Sequence, residues 1–128
     1  MTRLTIIMSA LLLSACAGSV TPTGSEVGNK NRQNMIKLDL GISPETMIAI
    51  MGTETGRPDI NNPFKKEIFQ AGDKPIVAYY YYTQSMRTKG VTDDEITPVV
   101  FIDNKLVGIG YRNLEETIEK YRIEIRNR

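Results

Sequence analysis

"PIVAYYYYTQSM", residues 75–86, has the strongest strand character in the chain, because β-branched and aromatic side chains favour extended backbone. In a strand, alternate side chains face opposite ways, so Tyr80 and Tyr82 share one face while Tyr79 and Tyr81 share the other. We expect one pair to lie in the core beneath helices and the other to cover the outer face. The outer pair is either packing or a partner-binding surface, since tyrosine is enriched at interfaces.

Downstream, "PVVFI" (residues 98–102), "DNK" and "LVGIGY" (residues 106–111) predict a tight hairpin. Gly108 and Gly110 are expected on one face of its second strand, where missing side chains leave a shallow groove. A tyrosine, the C-terminal helix or a partner protein would fill that groove. The glycines are not a dinucleotide-binding fingerprint, because the third glycine and the strand-to-helix context are missing.

Upstream, "FKKEIF" (residues 64–69) predicts a further strand, although a helical turn fits nearly as well. "MIKLDLGIS" (residues 35–43) alternates apolar and polar side chains, which predicts a short extended segment. Ser43 as N-cap, Pro44 in the first turn and Gly52 as C-terminal stop then predict a helix of about eight residues.

The C-terminal segment predicts a helix from Leu114 to about Arg126, capped by Asn113. Its apolar residues recur every three or four positions, on one stripe: Leu114, Ile118, Tyr121 and Ile125. We expect this stripe to dock onto the sheet near Gly108 and Gly110. The competing interpretation is an exposed stripe that binds a partner helix in trans.

The predicted architecture is an α+β domain over residues 35–128, with an N-terminal helix, a three-stranded antiparallel sheet and a C-terminal helix, one strand fewer than the four segments with strand character. The helices are expected on one face or end of the sheet. Residues 17–34, "AGSVTPTGSEVGNKNRQN", contain too few apolar side chains to suggest a core, so residues 16–34 are interpreted as a flexible tether.

Residues 1–15 have the layout of a secretory signal peptide: a positive start at Arg3, a short apolar run and small residues at Ser14 and Ala15. The run is too short for a membrane-spanning helix, which needs about 20 residues. Cys16, the only cysteine, follows at once and cannot form an internal disulfide. From the residues alone it is an intermolecular link, a free thiol or an attachment point.

Leu13-Ser14-Ala15-Cys16 resembles the lipobox of bacterial lipoprotein precursors. The resemblance implies that cleavage precedes Cys16, that its thiol carries diacylglycerol, and that its amino group carries an acyl chain such as palmitate. The membrane would then be a partner through this lipid. Ala17 stands where an aspartate would favour inner-membrane retention, so the periplasmic face of the outer membrane is expected.

Composition argues against several classes of function. The chain has 16 basic and 15 acidic side chains, so it has no broad basic field for nucleic acid. It has no histidine, and its only cysteine is expected to be lipidated, so neither the usual general base nor a thiol nucleophile is present. The acidic run Asp93-Asp94-Glu95 lacks the spacing of a calcium loop. We therefore expect no enzyme activity, no metal and no cofactor.

Two stretches, "LGISPETMIAIMG" (residues 40–52) and "TPVVFIDNKLVGIGY" (residues 97–111), resemble the SmpA/OmlA (BamE-like) outer-membrane lipoproteins. "NPF" (residues 62–64), the four tyrosines and "DDEITP" (residues 93–98) also occur in this order in a family of uncharacterised Gram-negative lipoproteins with that fold. The resemblance implies a BamE-like domain with an extra C-terminal helix. It also implies a non-catalytic protein-binding or scaffolding module of the envelope. The alternative is a small-ligand or lipid-binding protein that uses the tyrosine and glycine face.

Overall fold

The computed structural model describes residues 20–84 and 90–126; the predicted signal peptide and Cys16 lie outside these ranges. Within them the fold is α+β, with three α-helices and a four-stranded antiparallel sheet. The prediction of two helices and three strands was therefore incomplete. In chain order the elements are α1 (Gly24–Met35), α2 (Pro44–Met51), a 3-10 turn (Pro58–Ile60), β1 (Lys65–Ala71), β2 (Lys74–Tyr82), a 3-10 turn (Asp93–Glu95), β3 (Ile96–Ile102), β4 (Lys105–Ile109) and α3 (Tyr111–Arg126).

The sheet has the order β1-β2-β3-β4, so the tyrosine strand β2 is central. Tyr80 lies opposite Lys65 on one side and Pro98 on the other. The predicted hairpin is confirmed: β3 and β4 are joined at Asp103 and Asn104, both with positive φ. Short polar side chains tolerate this conformation, which matches the twist of the flanking strands.

Helices cover both faces of the sheet, which corrects the expectation of helices on one face or end. On one side, hereafter the α3 face, Leu114 of α3 and Val27 of α1 pack on β2 and β3. On the other, the α2 face, Met47 and Met51 of α2 pack on Tyr81, Val99, Phe101 and Leu106. The domain is therefore a three-layer arrangement with the sheet in the middle.

Helix α2 forms as its local sequence predicts. The Ser43 hydroxyl accepts a hydrogen bond from the Thr46 amide at 3.2 Å, and Pro44 occupies the first turn. Gly52 ends the helix with a φ of 72°, which costs little without a Cβ. Met47 and Met51, on the inner face, are buried. Local capping signals thus fix both ends, and burial of the methionines fixes which face turns inward.

Helix α1 contradicts the interpretation of residues 24–34 as flexible tether. It begins with a capping box: the Thr23 hydroxyl accepts from the Glu26 amide at 3.1 Å, and the Glu26 carboxylate accepts from the Thr23 amide at 2.8 Å. Val27, Gly28 and Asn31 are buried. The folded domain therefore starts at least ten residues earlier than the predicted boundary at residue 35.

A buried amide pair fastens α1 to the rest of the fold. The Asn31 side-chain amide donates to the Asn62 side-chain oxygen at 2.9 Å and to the Tyr82 carbonyl at 2.8 Å. In return, Asn62 donates to the Asn31 side-chain oxygen at 2.8 Å and to the Met51 carbonyl at 3.2 Å. Buried amides are costly unless hydrogen-bonded, so this pair specifies where α1 lies.

Residues 36–42 do not form the extended segment that their alternation predicted. They make a turn between α1 and α2, in which Leu38 is buried while Ile36 and Leu40 are exposed. The Gly41 amide donates to the Leu106 carbonyl at 2.8 Å, and the Leu106 amide donates to the Ile42 carbonyl at 2.9 Å. These two bonds hold the turn against the outer edge of β4.

Helix α3 begins at Tyr111, before the predicted cap. Asn113 lies inside the first turn, and its side chain donates to the Ile109 carbonyl at 2.7 Å. Leu114 is buried on the α3 face, and Ile118 and Tyr121 pack against the same core, so docking of the stripe is confirmed for these three. The Ile125 side chain lies outside the described part of the chain.

Candidate functional site

The four tyrosines alternate between the two faces as predicted, but they are less available than a partner-binding surface requires. Tyr80 and Tyr82 lie in the core of the α3 face, and Tyr81 lies in the core of the α2 face. All three are buried, at 3% exposure or less. Tyr79 is only partly buried. The structure thus leaves Tyr79 as the one member of the set that contributes surface.

Tyr80 is held by a charged cluster at the β1 side of the α3 face. Its hydroxyl donates to the Glu67 carboxylate at 3.0 Å, and the Lys65 ammonium approaches the same carboxylate at 2.9 Å. Lys65 also lies 4.6 Å from the Tyr80 ring centroid and 3.7 Å from the Asp93 carboxylate. The hydrogen bond from Lys65 lowers the pKa of Glu67, while the bond to Glu67 raises the pKa of Lys65.

Burial, followed by the bond to Glu67, raises the pKa of Tyr80, so this phenol stays protonated at neutral pH. Burial likewise raises the pKa of Tyr111 to about 12, with the Asp93 carboxylate as the next cause. The two rings lie 6.1 Å apart. This cluster therefore combines a neutralised ion pair with two protonated phenols, an arrangement that supports packing and offers no activated base or nucleophile.

A groove runs along the α2 face where the short helix α2 leaves the sheet uncovered. Its volume is about 280 Å³. The Tyr79 and Phe101 rings form its aromatic floor, edge to face with centroids 5.5 Å apart. The Lys66 ammonium lies 5.2 Å from the Tyr79 ring centroid, within the range of a cation–π contact. Its lining residues are Pro44, Lys66, Pro75, Val77, Tyr79, Phe101, Asp103 and Asn104.

The groove borders an open sheet edge. In the part of the chain that the structure describes, β1 pairs only with β2, so its other side presents unpaired backbone groups. Ile68, in the middle of β1, is 57% exposed and lies opposite Val77, which lines the groove. The other outer strand, β4, is bordered by Gly41 and Ile42. The aromatic groove and the open edge of β1 together form one continuous candidate surface, hereafter the Tyr79 surface.

The two glycines singled out in the sequence do not form a groove. A Cβ on Gly108 would lie 2.7 Å from the Asn113 Cβ, so this glycine permits the close approach of α3. Gly110 lies beyond the end of β4 and has a φ of 99°, so it serves the turn into α3. The space predicted as a partner-binding groove is therefore filled by the C-terminal helix.

Residues 20–84 and 90–126 contain no group of three acidic, cysteine or histidine side chains placed to hold a metal ion. No helix in the described ranges is long and apolar enough to cross a membrane. The cleft of about 230 Å³ between α1 and α2 is lined by Asn31 and Asn62, whose amides already bond to each other. Cys16, the predicted lipidation site, lies outside the described residues.

The fold and the Tyr79 surface define a small α+β domain whose candidate site is a shallow surface. Residues 21–116 match the family described as "Protein of unknown function (DUF3192)". The match spans most of the chain, and the chain belongs to this family. The matched range includes all of α1, in keeping with a domain that starts before residue 35. No curated protein and no solved structure matches the chain.

Sequence reasoning missed Lys66 and Ile68, the two β1 residues of the Tyr79 surface. Once "FKKEIF" is taken as a strand, the period-two rule places both on the face opposite Lys65, Glu67 and Phe69. The rule does not give the register, which the structure shows to place Lys66 opposite Tyr79. What the sequence lacked was the order of the strands, which leaves β1 at an edge.

Proposed function

We propose that this protein is a non-catalytic, lipid-anchored envelope lipoprotein that binds a partner protein through the Tyr79 surface. The partner segment is an extended peptide that adds to β1 as a further strand. The main support for this proposal is the combination of an open strand edge with an aromatic groove beside it. In this mode of recognition, backbone hydrogen bonds supply affinity and side-chain pockets supply specificity.

The chemistry of the surface suggests what such a segment carries. The groove around Tyr79 and Phe101 suits an apolar or aromatic side chain. Lys66 is exposed at the rim of the groove. Its ammonium suits a carboxylate on the partner segment, two residues along from the apolar side chain and on the same face of that strand. An alternating apolar and acidic segment therefore fits best. Its partner strand would lie about 4.8 Å from β1.

The alternative, a small-ligand protein, receives less support. Ligand pockets usually enclose roughly 300–1,000 Å³ and bury most of the ligand. The groove at Tyr79 has a volume of about 280 Å³, at the lower limit of that range, and lies beside the outer strand β1. The glycine face, the other half of that proposal, is occupied by Asn113.

The location is proposed from the N-terminal sequence. The lipobox resemblance at residues 13–16 supports a lipid anchor on Cys16, and Ala17 supports the periplasmic face of the outer membrane. Two or three acyl chains on one residue give stable anchoring, whereas a single chain is marginal. The SmpA/OmlA resemblance supports an adaptor or scaffolding role in the same envelope.

Site-specific photo-crosslinking in living cells tests the binding proposal. A photoreactive side chain in place of Ile68 is expected to yield a discrete protein adduct, because this position is central on the open edge. The same group in place of Glu115, exposed on α3, is the matched control and is expected to yield none.

The exposed substitution Lys66→Glu should sharply reduce the adduct from position 68 by reversing the charge at the groove. An adduct of equal yield from positions 68 and 115 would contradict the proposal. An adduct from position 68 whose yield is unchanged by Lys66→Glu would also contradict it.

A further inference from the structure

The turn between α1 and α2 presents aliphatic side chains that the fold does not use. Ile36 is 85% exposed and Leu40 is 75% exposed, whereas Leu38 between them is buried. Val107, next to Leu106 in β4, is a further exposed aliphatic residue on the strand that borders this turn. Single exposed hydrophobic residues are ordinary, but two on one turn, beside a third on the strand to which that turn is bonded, indicate a contact surface.

The turn is also held in place. The Gly41 amide donates to Leu106 at 2.8 Å, and the Ile42 carbonyl accepts from Leu106 at 2.9 Å. Burial of Leu38 anchors its middle. Ile36 and Leu40 are therefore fixed outward by their backbone positions.

Charges around the turn narrow the choice of occupant. Lys37 and Lys105 are exposed in and beside it, together with the carboxylate of Asp39, while the nearby Asp103 is paired with Lys74 at 2.7 Å. Aliphatic side chains flanked by lysines are typical of segments that enter the headgroup region of a bilayer, where the lysines meet lipid phosphates. A protein interface would draw more on aromatic residues and arginine.

The proposed anchor brings a bilayer within reach of the turn. Thr23 caps α1 and Pro22 lies against Gly56, so residues 22 and 23 belong to the domain. Cys16 precedes Val20, the first described residue, by four positions, and a chain of four residues spans at most ~14 Å. Helix α1 has 12 residues and is therefore about 18 Å long. With α1 lying along the membrane, its far end at Ile36 reaches the lipid surface without strain on the tether.

We propose that the turn 36–40 is a membrane-contact loop that inserts Ile36 and Leu40 among phospholipid headgroups. The inference rests on the proposed lipid anchor and adds an orientation to it. The β4 side of the sheet faces the bilayer, and the Tyr79 surface, on the β1 side, faces the periplasm.

Tryptophan fluorescence tests this directly, because the chain contains no tryptophan. The full mature protein, purified from membranes, carries Leu40→Trp and is reconstituted in vesicles of phosphatidylethanolamine and phosphatidylglycerol. We expect its emission to shift to shorter wavelength and to lose most of its intensity when the lipid chains are brominated. Ile68→Trp, exposed at the opposite edge of the sheet, is the matched control and should keep water-like, unquenched emission.

The outcomes separate the loop from the anchor. An intact mass that shows lipid on Cys16, together with water-like emission from position 40, would overturn the loop and leave the anchor standing. A chain without lipid that does not bind the vesicles would overturn both. Equal quenching at positions 40 and 68 would also overturn the loop, because the contact would then lack the stated orientation.

Discussion

Replacing Asn31 with alanine is expected to lower the free energy of unfolding by roughly 2–4 kcal/mol. The substitution leaves buried polar groups without a hydrogen-bond partner, and each such group costs about 1–3 kcal/mol. The Asn62 side-chain oxygen and the Tyr82 carbonyl would both lose a donor. Small domains are stable by only about 5–15 kcal/mol, so the loss is large. Alanine is the better helix former, so the effect cannot come from helix propensity.

Asn29→Ala is the control, since Asn29 lies on the same helix and is exposed. It should change stability by less than about 0.5 kcal/mol. Urea titration followed by far-ultraviolet circular dichroism gives both values. Equal midpoints for the two variants would mean that α1 does not pack as described, and would restore the interpretation of this segment as tether.

Replacing Leu114 with alanine is expected to lower the free energy of unfolding by about 2–5 kcal/mol, the usual cost of truncating a buried leucine. Leu114 is 5% exposed and is more deeply buried than Ile118 and Tyr121, the other described residues of the α3 stripe. Its loss leaves a cavity between α3 and the strands that carry Tyr80 and Val100, which belong to the same core.

Glu115→Ala, at the next and exposed position of α3, separates burial from helix effects. It should leave the unfolding midpoint nearly unchanged. If Leu114→Ala and Glu115→Ala behaved alike, the stripe would not be core. The helix would then be free to bind a partner in trans.

The elements that the sequence predicted best are those with local signals. Ser43, Pro44 and Gly52 bracket α2 because caps and turn conformations depend on near neighbours. The tyrosine strand and the Asp103-Asn104 hairpin follow for the same reason. Their positions in the sheet come from pairing with distant strands, which local patterns do not encode.

Helix α1 was missed because Val27 is the only apolar side chain among its buried residues. Its other close contacts run through Asn31 and Gly28, which no hydrophobic pattern detects. The usable signal was the spacing of Thr23 and Glu26, which form a capping box. Conversely, the alternation at residues 36–40 suggested a strand because exposed Ile36 and Leu40 look like core residues in sequence. An alternating pattern cannot tell which of its apolar residues is buried.

The candidate site was predictable only in part. Alternation of the tyrosines was confirmed, but burial of Tyr80, Tyr81 and Tyr82 depends on helices covering both faces. Exposure of Tyr79 depends on how short α2 is relative to the sheet. Both are tertiary facts, as is the position of β1 at an edge, which makes Ile68 available.

The intact mass of the mature protein, purified from membranes, tests the central claim that this chain is an anchored lipoprotein. We expect an N-terminal Cys16 that carries a diacylglyceryl group on its thiol and an acyl chain on its amino group. Cys16→Ser, the matched control, should remain unprocessed and carry no lipid. A mature chain that begins elsewhere, or one with an unmodified Cys16, would show that the protein is not anchored through this residue.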